Sequence, residues 1–185
     1  MARKQYGFIA LPPMKQKYTP AEWAQREQEY IDSINSIVIP YEPDDADITS
    51  INAMIDSVYT IAKIEQAIYT RLYDRNYQRR KNSETEVYLI VKRNLPVDTN
   101  GNPIKATETE LKARGVEFLN QNKVDGSNYN IYQLESLAAD RKVFMDGVVD
   151  ILKSKSDKLI TDSGALKLAV QINQGASANS QKGAN

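Results

Sequence analysis

A chain of 185 residues is long enough for one domain with a real core, and its polar mean hydropathy of −0.55 fits a soluble helical protein. The 24 Lys and Arg balance the 24 Asp and Glu, so net charge cannot draw the chain to a polyanion and only local patches can act. There is no Cys and no His, which excludes disulfides, thiolate metal sites, a cysteine nucleophile and the commonest neutral-pH general base and zinc ligand.

No apolar run approaches a membrane span and the start lacks the h-region of a signal peptide, so a host-cytoplasmic protein with no membrane partner is expected. Residues 1–18 carry Arg3, Lys4, Lys15 and Lys17 without an acid, around the Pro-limited stretch YGFIALPPM. They predict a basic extended arm, packed on the body or gripped by a partner. Thr19, Pro20 and Glu22 then have the N-cap, first-position and capping-box roles of a helix start. Trp23, Tyr30, Ile34 and Ile37 or Val38 mark its buried stripe, and Pro40 ends it. PYEPDDAD at 40–47 reads as an acidic linker.

From Ile48 to about Lys81 no Gly or Pro intervenes, and Ile48, Ile51, Ile55, Val58, Ala62, Tyr69 and Leu72 make one helical stripe. Such a helix is roughly 50 Å long at 1.5 Å per residue. Its second half has Arg71, Arg75 and Arg79 at successive i,i+4 positions, with Arg80 and Lys81 alongside and Lys63 further back. Tyr69, Tyr73 and Tyr77 form another i,i+4 row, about 200° around the helix. Between Arg71 and Lys81 the one acid is Asp74. Like charges so close repel unless an anion comes to them. Guanidinium groups suit phosphate, and Tyr rings can stack on unpaired bases. The bland alternatives are a solvated face for the Arg row and half-buried packing for the Tyr row. Charge is also segregated: eight acids and no Lys or Arg lie between Glu27 and Asp56, whereas Lys63 to Arg93 holds eight basic residues against four acids.

VYLIV at 87–91 has strong β preference, so either the long helix resumes past a break or a short strand forms. LPVDTNGNPI at 95–104 predicts a turn-rich excursion, with Asn100-Gly101 supplying positive φ. Thr107 to Glu110 is another capping box, opening a helix to about Asn122. A second long helix is expected from about 129 to 160, with Leu137, Phe144, Val148 and Leu152 in a seam suited to subunit contact. Gly147 within it suggests close helix approach. Asp162-Ser163 is expected to cap a last short helix to about Ile172, before a disordered Gly/Ser/Ala/Asn/Gln tail over 173–185. The predicted class is mainly α, with long helices forming a hairpin or bundle that oligomerises and a possible strand or β-turn near 87–104. One helical domain would span 19–172.

Enzymatic chemistry has little to stand on. Asp44, Asp45 and Asp47, or Asp140, Asp146 and Asp150, are the nearest approach to a magnesium site, and both sets fit caps and solvated helix faces. No nucleophile–base pair or phosphate-cradling Gly loop is present, so the expectation is no enzyme, no metal and no cofactor.

Three stretches carry a resemblance: Lys63 with Arg71-Leu72-Tyr73, Tyr77 and Arg79; the run Lys105 to Lys112; and Val149-Asp150-Ile151-Leu152-Lys153-Ser154-Lys155. Over roughly 48–170 the chain resembles the UvsY family of phage recombination mediators, small helical oligomers that bind single-stranded DNA. The first fifty residues, the 95–104 excursion and the tail are additional, and Ser156 and Asp157 stand where the family tends to have Gly and an aromatic residue. The resemblance implies a non-enzymatic loading factor that helps a RecA-like recombinase replace single-strand binding protein. Taken with the basic and aromatic rows, it gives the expected DNA contacts as Lys63, Arg71, Tyr73, Arg75, Tyr77, Arg79, Arg80 and Lys81. The alternative is a phage virion or assembly protein whose helices build a homo-oligomer.

Overall fold

The computed structural model describes residues 11–15, 18–41 and 43–182, as backbone alone from 165 onward. It is mainly α: among the described residues there are four helices, α1 (Pro20–Ser36), α2 (Asp45–Arg93), α3 (Glu108–Gln121) and α4 (Ile131–Lys182). One isolated antiparallel bridge, Val97 with Pro103, is the β structure among them. No helix among the described residues is long and apolar enough to cross a membrane. The chain packs as two compact units. Unit 1 takes α1, α2 to Glu65, and α4 from Phe144; unit 2 takes residues 66–143.

Unit 1 begins with the described part of the basic arm, which packs on α1; residues 1–10 of that arm lie outside the described residues. Leu11 is buried, and the Tyr18 ring stands edge-on to Trp23 at 5.9 Å. Thr19 caps α1 as its sequence requires: its hydroxyl accepts from the Glu22 N–H, and Glu22 returns a bond to the Thr19 N–H at 2.8 Å. Lys15 Nζ adds a 2.8 Å ion pair to the same carboxylate. The bond from Lys15, followed by those from Thr19, pulls the Glu22 carboxyl down to about 2. Its folded pKa therefore lies below the ordinary 4.5, so its stabilising contribution is present above that value and is lost as pH falls towards about 2. A pH titration followed by NMR is expected to show Glu22 still charged where an ordinary Glu is half protonated. In Glu22→Gln that segment of the acid-unfolding curve flattens; a Glu22 titrating near 4.5 would contradict the cap.

The α1 stripe closes on Ile37, fully buried, and leaves Val38 65% exposed. Lys155 from α4 donates to the Ile37 carbonyl at 2.6 Å, satisfying an acceptor at the end of α1. Phe144 of α4 stands edge-to-face on both Trp23 and Tyr30. Asp44, Asp45 and Asp47 of the 40–47 linker turn out to start α2. Asp44 accepts the Asp47 N–H at 2.7 Å and Asp47 returns the bond at 3.4 Å, with Asp45 and Asp47 in the positive first turn.

α2 starts three residues before Ile48 and runs twelve beyond Lys81, straight through VYLIV, which is helical and not a strand. Nothing between Asp45 and Arg93 breaks a helix, and Val87 is buried with Leu119 and Ile131 in the unit 2 core, so packing overrides β preference. The 95–104 excursion does form. Gly101 has φ +81°, the Asp98 carboxylate accepts the Asn100 and Asn102 N–H groups at 2.8 Å, and the bond from Asn102 leads in holding its pKa low. α3 has its expected capping box at Thr107 and Glu110 and ends at Asn122. α4 opens on a reciprocal pair, Asn130 with Gln133.

Two expectations about α4 are corrected. It is one helix to Lys182, through both the predicted break at Asp162-Ser163 and the stretch 173–182 predicted to be disordered. Ser163 Oγ donates to the Ile160 carbonyl at 2.8 Å, folding back onto its own helix and not capping a new one. The inner-face residues expected at Leu166, Ala169 and Val170, and the tail end 183–185, lie outside the described side chains and residues. Gly147 meets nothing within 4 Å, so it marks no close approach. That role belongs to Gly115 of α3, where an added Cβ would stand 3.5 Å from Val87 Cγ1 and 3.8 Å from the Tyr88 nitrogen.

Candidate nucleic-acid interface

The segment of α2 from Gln66 to Lys81 belongs to unit 2, and its two rows face opposite ways as the 100° step requires. Arg71, Arg75 and Arg79 are exposed, and none makes an ion pair or a side-chain hydrogen bond with another described residue. Their 6 Å rise per i,i+4 step, about 1.5 Å per residue, is comparable to the interval between phosphates on an extended strand.

Arg80, one position on, is a different residue. Its guanidinium binds Glu135 of α4 through Nε and Nη2, and Nη1 reaches Glu84 at 2.8 Å. It also lies 5.2 Å from the Tyr77 ring centre and 5.9 Å from that of Tyr132. The bonds from Glu135 lead in raising its pKa above the ordinary value. Arg80 is thus half-buried structure, and of the five cations counted against Asp74 it is spoken for by two carboxylates. Lys81 is exposed, 3.9 Å from Glu84, and Lys63 is exposed on the part of α2 that belongs to unit 1.

The tyrosine row packs. Tyr69 is buried, with the Arg141 guanidinium 5.9 Å from its ring centre. Tyr73 and Tyr77 are half-buried and tilt against each other at 6.2 Å. Between them Asn76 donates to the Leu134 carbonyl of α4 at 3.0 Å, fixing which face of α2 looks inward. Of the residues predicted to touch DNA, the structure gathers Arg71, Arg75 and Arg79 on one open face and turns Tyr73, Tyr77 and Arg80 towards the unit 2 interior.

The seam predicted to join subunits is engaged inside the chain. Val148 and Leu152 are buried in unit 1, and Phe144 packs on α1; Leu137 is half-buried in unit 2. Apolar side chains that α4 does expose are Val143, Ile151 and Ile160.

Sequence reasoning missed the most polar feature of the core. Arg26 of α1, 2% exposed, meets Glu65 of α2, fully buried, through Nε at 3.1 Å and through Nη2. Nη1 takes Glu29 at 3.0 Å and the Pro12 carbonyl at 2.9 Å. Burial opposes the charge, but the bonds from Glu65 and Glu29 outweigh it and raise the Arg26 pKa. The signal was present: Glu65 occupies the next position of the stripe Ile51, Ile55, Val58 and Ala62, where only a paired charge is tolerated.

No family model matches the chain, and neither curated proteins nor solved structures give a match.

Proposed function

We propose that the chain binds single-stranded nucleic acid along the Arg71, Arg75 and Arg79 face of α2, and that it serves as a non-enzymatic phage recombination mediator. The observation carrying this reading is the row itself: three exposed guanidiniums at even spacing, with no acid among the described residues paired to them. Mutual repulsion in such a row is relieved when phosphates replace water around it. The resemblance to the UvsY family supports the remainder, in which the protein helps a RecA-like recombinase take the strand from single-strand binding protein. A homo-oligomer would raise the effective concentration of rows along one strand and multiply modest contacts. Tyr73 and Tyr77 are left out of the contact set, since they serve packing.

The test is fluorescence anisotropy with a labelled single-stranded oligonucleotide over a range of salt concentrations. Arg71→Ala, Arg75→Ala and Arg79→Ala together are expected to weaken binding steeply at low salt. The log–log salt slope should fall by about 2, from about 0.7 per lost phosphate contact on a single strand. The helix should persist, because Ala favours it and like-charge repulsion is removed. Unchanged affinity and slope in a folded triple variant would leave the row a solvated face. A binding-competent protein that fails to displace single-strand binding protein or to promote recombinase assembly would remove the mediator role alone.

A further inference from the structure

Unit 2 holds a cleft of about 480 Å³ between α2 and α3. Its walls are Lys81, Thr85 and Tyr88 on one side and Lys112, Gly115 and Val116 on the other. Gly115 brings α3 close to α2, where an added Cβ would stand 3.5 Å from Val87 Cγ1 and 3.8 Å from the Tyr88 nitrogen. Lys81 and Lys112 have half or more of their side chains in solvent, which puts two ammonium groups at the rim. The half-buried Tyr88 ring forms a flat wall, with Lys92 Nζ 5.9 Å from its centre.

We propose that this cleft is a nucleotide site, taking one aromatic base against Tyr88 with its phosphate between Lys81 and Lys112. The volume is that of a small-ligand pocket. An aromatic ring offers stacking to any base, and paired ammonium groups offer charge to a phosphate. Asn82 supplies an amide able to donate and accept at a base edge. The one acid in the lining, Glu84, has its Oε1 engaged by Arg80 at 2.8 Å and by the Tyr132 hydroxyl at 3.1 Å. The Lys112 pair with Glu108 is an exposed i,i+4 bridge, weakly held in solvent, which a phosphate can displace. At 100° per residue, Lys81, Thr85 and Tyr88 lie roughly a third of a turn from the Arg71, Arg75 and Arg79 row. The cleft is therefore separate from the proposed strand-binding face and does not rest on it. Its occupant is a free nucleoside phosphate or a single nucleotide of a bound strand.

Calorimetric titration of the full chain with adenosine monophosphate, and with adenosine, tests this. Saturable binding of the monophosphate is expected, weakened roughly tenfold or more in Tyr88→Ala, as loss of a stacking partner entails. Because Tyr88 is half-buried, Lys112→Ala serves as the fold-neutral variant: it should weaken the monophosphate several-fold and leave adenosine unchanged. The triple arginine variant should bind both as the parent does, which separates failure here from failure of the strand-binding reading. Competition by a short single-stranded oligonucleotide would identify a strand nucleotide as the occupant, and simultaneous binding would identify the free nucleotide. Absence of saturation in the millimolar range, or identical monophosphate affinity in Lys112→Ala, overturns the proposal.

Discussion

Arg26→Met is expected to cost the fold about 3–5 kcal/mol, the range seen when one partner of a buried ion pair is removed. The loss is that large because Glu65 is fully buried and would be left without its guanidinium partner. The same change frees the Pro12 carbonyl and one bond of Glu29, so the described part of the arm should loosen as well. Arg26→Met with Glu65→Leu together should recover most of the loss, since an apolar pair of similar bulk avoids the desolvation of both charges. Chemical denaturation of the four proteins of this cycle measures the coupling directly. A single-variant loss under about 1 kcal/mol would show the pair to be solvated, and the packing of α1 on α2 would need redescription.

Leu152→Asp is expected to abolish cooperative folding of unit 1. Leu152 is fully buried, and truncating such a residue to Ala already costs about 2–5 kcal/mol. An ionised carboxylate there adds a desolvation cost with no partner to offset it, approaching the whole stability of a domain, about 5–15 kcal/mol. Had the seam been a subunit contact, the variant would instead be a folded, dissociated protomer. Circular dichroism and light scattering on one sample separate these outcomes, and the folded protomer would return Val148 and Leu152 to an interface. Ile151→Asp, at an exposed neighbouring position, is the control that should keep its fold.

The contrast between Leu152 and Arg80 shows where sequence reasoning reaches its end. Helix starts were legible at Thr19 and Thr107, because a capping box is closed by residues three apart and needs nothing from the rest of the chain. The Asn100-Gly101 turn was legible for the same reason, as positive φ at Gly101 is a local demand. The opposed Arg and Tyr rows followed from helical geometry alone. Periodicity also found the Val148 and Leu152 seam, but an apolar stripe states only that something covers it. The fold decided that the cover is the chain itself: Val148 and Leu152 are buried within unit 1, where Phe144 packs on Trp23 of α1 and Lys155 binds the Ile37 carbonyl at its end.

Charge was the least legible. Sequence could set Arg71, Arg75, Arg79 and Arg80 side by side, yet Glu135, 55 positions away, takes up the last and leaves the first three open. Arg26 and Glu65, 39 positions apart, look like two ordinary polar residues until α1 lies on α2. The far end of α2 stayed open between helix and strand, and the 160–172 stretch went wrong, by the same logic. Local preference allowed a strand at VYLIV and suggested a cap at Ser163; in the fold both stretches are helix, with Val87 in the unit 2 core and Ser163 Oγ donating back to the Ile160 carbonyl. Local hydrogen bonding and periodicity are properties of a short segment; which charges are paired and which stripes are covered are properties of segments that meet only in the folded chain.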